Sequence, residues 1–143
     1  MKVEELIKLL KEGESENVEF KSSVSSDFGE LICSFANTEG GYILVGVDDD
    51  GNIVGAKEDE IEKISSFLLS IIPRPEVKVE KVYVDEKLVI VVRVEKSEKL
   101  HMIGGRAYVR IGSKKRPLEL EEIAEKLVES LAIKFDELKS NYE

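Results

Sequence analysis

The chain has 143 residues, of which 42% are hydrophobic and 36% charged, with a net charge of −9 and a single cysteine. This fits one soluble domain over 1–143 with a core of its own, and no apolar stretch approaches the roughly 20 residues of a membrane helix. Acids in the opening Met1-Lys2-Val3-Glu4-Glu5 argue against a secretory leader, and a lone Cys33 excludes an internal disulfide or a cysteine zinc site, so a cytoplasmic location without membrane attachment is expected.

Leu6, Leu9 and Leu10 share one face of a first helix that ends before Gly13. Residues 17–21, "NVEFK", predict a short strand with Val18 and Phe20 inward and Asn17, Glu19 and Lys21 on the other face. Asp27 is placed to cap a second helix carrying Leu31, Ile32, Phe35 and Ala36, which Asn37 through Gly41 close. The apolar strand 42–48 follows, then an Asp50-Gly51 turn and Ile53-Val54. Ile61, Ile64, Phe67, Leu68 and Ile71 predict a third helix stopped by Pro73 and Pro75. Segments 77–84 and 88–94 alternate as a hairpin, a further strand covers 107–111, and a final helix over about 118–140 carries Ile123, Leu127, Leu131, Phe135 and Leu138 in a stripe expected to be core, with a partner helix as the alternative. Strand pairs interleaved with helices give a mixed α/β (α+β) two-layer domain with a mixed, largely antiparallel sheet.

Three groups of residues carry chemistry. Glu14 and Glu19 bracket the first strand, and Glu19 shares its face with Lys21. With further carboxylates at the end of the neighbouring strand, they are candidates for a Mg²⁺ or Mn²⁺ site serving phosphodiester chemistry. The bland reading is a surface ion pair, which spacing alone favours in a chain with 30 acids. Asp50 is explained by its turn, whereas Asp48 and Asp49 are not, and one of them should border the buried face. The third group is "HMIGGRAYVRIGSKKRP", residues 101–117, which holds Arg106, Arg110, Lys114, Lys115 and Arg116 and no acid, a +5 block on an acidic chain. Alternation puts Arg106, Tyr108 and Arg110 on an exposed face and Ala107, Val109 and Ile111 toward a core, a pattern suited to phosphate and unpaired bases. His101 reads as a loop residue in preference to a catalytic base.

"ESENVEFK", "SFANTEGGYILVGVDDDGNIVG" and "AYVRIGS", in that order over about residues 12–125, resemble the Schlafen AlbA-type domain. The resemblance implies an AlbA-like fold and a DNA- or RNA-binding role. Schlafen proteins that cleave transfer and ribosomal RNA hold a three-carboxylate metal site in these motifs. Carried over, two of those acids fall on Glu14 and Glu19, and the third on Asp48 or Asp49, with Asp49 preferred. A divalent-metal-dependent endoribonuclease acting on structured RNA is therefore one expectation. A non-catalytic DNA- or RNA-binding module of a transcriptional regulator is the other. Schlafen cores resemble two related lobes around a groove, and one copy of the motifs here implies a homodimer. Relatives are often labelled ATP-binding, yet no G-x-x-x-x-G-K-[ST] loop occurs in this chain, so no nucleotide cofactor is expected.

Overall fold

Residues 1–142 are described by a computed structural model, with the backbone alone described at 133 and 140–142. In chain order the elements are α1 (Val3–Glu12), β1 (Val18–Lys21), α2 (Phe28–Ala36), β2 (Gly41–Val45), α3 (Glu60–Ser70), β3 (Ile71–Ile72), β4 (Val77–Val84), β5 (Lys87–Val94), β6 (Met102–Ile103), β7 (Tyr108–Ile111), β8 (Lys114–Pro117) and α4 (Leu120–Tyr142). The main sheet has the order β1-β2-β5-β4, with β1 parallel to β2 and the other pairs antiparallel. This is the mixed α+β architecture expected.

Both faces of the sheet are covered, which explains why β5 reads as an unbroken apolar run from Leu88 to Val92. Ile43, Val45, Ile90 and Val92 pack against Phe28, Ile32 and Phe35 of α2 and Ile64 of α3. On the opposite face Phe20, Leu44, Val89 and Val91 meet Leu6 of α1, so α1 adds cover beyond the two layers expected. Each fully buried side chain of this size contributes about 1.5–3 kcal/mol, and the core follows the alternation legible in these segments.

β2 ends at Val45, short of the expected 48, because Gly46 adopts φ 102°. A Cβ there would lie 2.7 Å from the backbone atoms Ala56 N and Leu88 O, a close approach only glycine permits. The alternation that would carry Asp48 or Asp49 onto the buried face is therefore broken two residues earlier. Ile53-Val54 makes no strand, only a single bridge from Ile53 to Val47. β4 and β5 are joined by Asp85 and Glu86, at φ 48° and 67°, the left-handed pair of a tight hairpin turn.

The strands β7 and β8 form a separate two-stranded hairpin, and β3 pairs with the distant β6 in a second two-stranded sheet. β7 lies on α2 outside the main sheet, held by Asn37 and Thr38 at the C-terminal end of α2. The C-terminal stripe departs from expectation. Leu127, Leu131, Phe135 and Leu138 are exposed, and only Ile123 is half-buried, because α4 meets the domain along one side of its first half. No helix among the described residues is long and apolar enough to cross a membrane.

Candidate functional site

The 14–21 segment folds back on itself through a bridge between Ser15 and Val18, which brings Glu14 beside β1. Its Oε1 accepts a hydrogen bond from the Phe20 backbone N–H at 3.0 Å, satisfying a donor on the open side of this edge strand. Glu19 projects toward α2 and is largely covered. It lies 3.3 Å from Arg110 Nη2 and 3.9 Å from Lys21 Nζ. Burial pushes the Glu19 carboxyl above its ordinary range, and the Glu14 carboxylate adds to this, while Arg110 and Lys21 oppose it. The sequence-based pairing of Glu14, Glu19 and Lys21 is thus realised in space.

The third carboxylate is not brought to them as a metal shell. Asp48 Oδ1 accepts hydrogen bonds from the backbone N–H groups of Asp50 at 3.0 Å and Asn52 at 2.9 Å, the role of an Asx turn former. Asp49 is exposed at the turn. Among the described residues no group of three or more His, Cys, Asp or Glu is arranged to hold a metal ion. Mg²⁺ requires about six oxygens in near-octahedral array, whereas Glu14 is engaged with a backbone amide and Glu19 with a guanidinium. In this arrangement the expected ligands Glu14, Glu19, Asp48 and Asp49 are not gathered around one point as such an ion requires.

The basic hairpin also departs from its expected orientation. Arg110 is 4% exposed, although alternation in an isolated strand put it outward, and Ile111 is 59% exposed where a core position was expected. The reason lies far away in sequence. Arg110 Nε donates to Glu16 O at 2.9 Å, Nη2 donates to Ser15 O at 3.0 Å, and the guanidinium lies 4.2 Å from the Phe35 ring centroid. Arg110 therefore clamps the 14–19 turn to α2, and its Nη1 has no hydrogen-bond partner among the described residues. Tyr108 is buried as well, which removes it as a stacking platform for bases, and Lys115 Nζ sits 5.9 Å from its ring centroid.

The remaining cations divide sharply. Lys115 Nζ lies 2.9 Å from Asp27 and 3.4 Å from Glu30. Burial alone would lower this ammonium, and the two carboxylates outweigh it and hold it above its ordinary value. Asp27 is held down to about 2 by hydrogen bonds from the Ser25 hydroxyl and from Lys115. It makes no side-chain cap to α2, contrary to its expected role. Arg116 forms a two-point pair with Glu122, at 2.9 and 2.8 Å, which holds that carboxyl down to about 2. Arg106, beside the Gly104-Gly105 turn, and Lys114, beside the Gly112-Ser113 tip, are exposed and form no ion pair among the described residues.

Sequence reasoning missed Asn37 as a structural hub. Its side-chain amide donates to His101 O at 2.9 Å and Tyr108 O at 3.0 Å, while its Oδ1 accepts from His101 N at 2.8 Å. The motif "NTEGG" signals only a helix stop, and nothing local reports partners some seventy residues on. His101 is buried, with Nδ1 2.6 Å from Pro73 O, so its ring ties two loops together and is not open to a substrate. Cys33 is likewise enclosed, and burial, with the Glu30 carboxylate adding to it, pushes its thiol up to about 12.

Comparison with known proteins bears on this arrangement. The chain aligns over 73% of its length with the crystal structure of the DIP2311 protein from Corynebacterium diphtheriae, at 21% identity and a TM-score of 0.59, and spans 22% of that chain. It also aligns with the solution structure of the N-terminal domain of a RecG-related protein from Nitrosomonas europaea, named for an ATP-dependent DNA helicase. Here identity is 27% and the TM-score 0.51, over 81% of this chain and 92% of that domain. The family model described as Schlafen, AlbA_2 matches residues 14–119, the span from the first acidic motif through the basic hairpin, and the chain belongs to that family.

Proposed function

We propose that this chain is a nucleic-acid-binding module that grips the phosphate backbone of RNA or DNA through the turns of its basic segment. The observation that carries the reading is the exposure of Arg106 and Lys114 without a carboxylate partner among the described residues, on a segment otherwise free of acids. Arg110, Lys115 and Arg116 are spent on internal carboxylates, so the effective footprint is smaller than the +5 of the sequence. Contact with phosphates alone carries no base information, and with Tyr108 buried, binding is expected to be weakly selective for sequence. Membership of the Schlafen AlbA_2 family and the likeness to a helicase-related N-terminal domain support this reading.

The non-catalytic form of the proposal is favoured over the endoribonuclease because Glu14, Glu19 and Asp48 each have a structural task in this arrangement. The test has two parts. Binding of a labelled single-stranded RNA is measured against salt for the wild type and for Arg106→Ala with Lys114→Ala. The double variant is expected to bind more weakly at low salt, with the slope of log affinity against log salt reduced by about 0.7 per lost contact. An unchanged slope would sink the phosphate-grip reading. Separately, incubation of labelled transfer RNA with Mn²⁺ or with EDTA is expected to leave it intact in both. Cleavage with Mn²⁺ that is lost in both Glu19→Gln and Asp49→Asn would establish the nuclease instead.

A further inference from the structure

α4 meets the domain through its first half. Arg116 holds Glu122, Ile123 is half-buried, and Ser130 Oγ donates to Glu98 O at 3.2 Å. At about 100° per residue Ile123 and Ser130 lie roughly a quarter-turn, and Glu122 nearly a half-turn, around the helix from the centre of the arc formed by Leu127, Val128, Leu131, Phe135 and Leu138. Those five side chains occupy a single arc and are 46% to 69% exposed. Such a contiguous apolar face on an otherwise charged helix is the feature that marks an association surface. Val128, Leu131, Phe135 and Leu138 follow the 3-4-3 spacing of a coiled-coil seam.

We propose that this seam is occupied by the same seam of a second copy of the chain, with the two α4 helices antiparallel. The charges beside the seam choose both the occupant and its direction. On one margin Glu121 and Glu125 lie toward the N-terminal end of α4 and Lys139 toward its C-terminal end, while Lys134 lies on the other margin. A parallel, in-register pair would set Lys134 of each copy beside the partner's Lys139, a like-charge contact made twice. An antiparallel pair that places Leu131 against the partner's Phe135 sets Glu125 beside the partner's Lys139, an opposite-charge contact made twice, against a single like-charge contact of Lys134 with the partner's Lys134 near the two-fold axis. Such an arrangement is self-complementary, as a two-fold interface requires. The stripe offers roughly 500–700 Å² per copy, somewhat below the ~800 Å² of a standard interface, so the pairing is reversible, with a Kd in the micromolar range or weaker. The two domains then sit toward opposite ends of the helix pair, each with its own basic hairpin.

Sedimentation equilibrium without nucleic acid, from about 5 to about 500 µM, is the test, because mass action makes a dimer concentration-dependent. The wild type is expected to shift from monomer to dimer across this range. Leu131→Glu with Phe135→Glu should raise the dissociation constant more than about 100-fold with an unchanged melting temperature of the monomer, both side chains being solvent-facing. Glu125→Lys should weaken the dimer by about threefold or more, and Glu125→Lys with Lys139→Glu should restore it. A monomer throughout, or a dimer indifferent to Leu131→Glu with Phe135→Glu, overturns the proposal. A dimer lost in that variant but unmoved by the charge exchange overturns the antiparallel arrangement. None of these readouts involves RNA, so they stand apart from the test of nucleic-acid binding.

Discussion

Arg110 and Arg106 lie four residues apart in the same basic segment and do opposite things. Arg110 is enclosed by the 14–19 turn, α2 and Phe35, where its charge is matched by Glu19 and by two carbonyl oxygens. Arg106 is exposed beside a glycine turn, with the Tyr108 hydroxyl as its neighbour and no carboxylate pair among the described residues. The contrast teaches that a local charge count measures potential footprint only. A guanidinium next to a fixed carboxylate and two carbonyl acceptors is worth more to the fold than to any ligand.

The largest expected effect breaks the buried side of this comparison. Arg110→Ala removes the clamp and leaves Glu19 covered without its closest cation, so a loss of about 3–5 kcal/mol is expected. Chemical denaturation would measure it as a fall in midpoint at constant slope. If Arg110→Ala instead leaves stability intact and abolishes RNA binding, the assignment of the two arginines is reversed.

Next in size is the aspartate turn. Asp48→Ala should cost about 1–2 kcal/mol, since two backbone donors lose a charged acceptor, whereas Asp49→Ala should stay within about 0.5 kcal/mol. Equal effects in thermal melts would contradict the division of roles between them.

A smaller effect concerns acid. Asp27 is depressed from its ordinary value to about 2. Its contribution is present above about pH 3.8 and lost as pH falls through its folded value. Because the pair with Lys115 is partly exposed, screening limits that contribution to about 1 kcal/mol or less. Lys115→Met should flatten the acid limb of stability between about pH 4 and pH 2. Glu19 runs the other way. Its folded value is raised, so its protonated form favours the folded state, and that benefit is lost as pH rises through the folded value.

The smallest expected change lies on the exposed side. Arg106→Ala and Lys114→Ala should each alter stability by no more than about 0.5 kcal/mol, as surface substitutions do. A cooperative loss of thermal stability in either would show that its side chain belongs to the fold after all.

Where apolar periodicity and turn chemistry were strong, the sequence sufficed. The β4–β5 hairpin, α2 and the strand pair β1 and β2 follow from alternation, helical spacing and the glycines that interrupt them. β8 was not legible because Lys114 through Pro117 has no apolar alternation, and β3 and β6 are only two residues long. The pairing of Glu14, Glu19 and Lys21 was legible because all three lie within one short segment. The direction of Arg110 was not, since Ser15, Glu16 and Glu19 are some ninety residues away in the chain. The stripe of α4 was visible as periodicity, yet periodicity marks an apolar face without saying what covers it.

Asn37 has a kinetic consequence. Its side chain supplies both a donor and an acceptor to the 101 and 108 segments, doing the work of a peptide group in a neighbouring strand. Thr38 adds a hydroxyl acceptor for Arg110 N. With its inner edge bonded to the end of α2, the hairpin has no route to detach by fraying alone. The amide protons of Arg110 and His101 should therefore exchange with solvent together with those of α2, as one cooperative unit, while the amides at the Gly112-Ser113 tip exchange early.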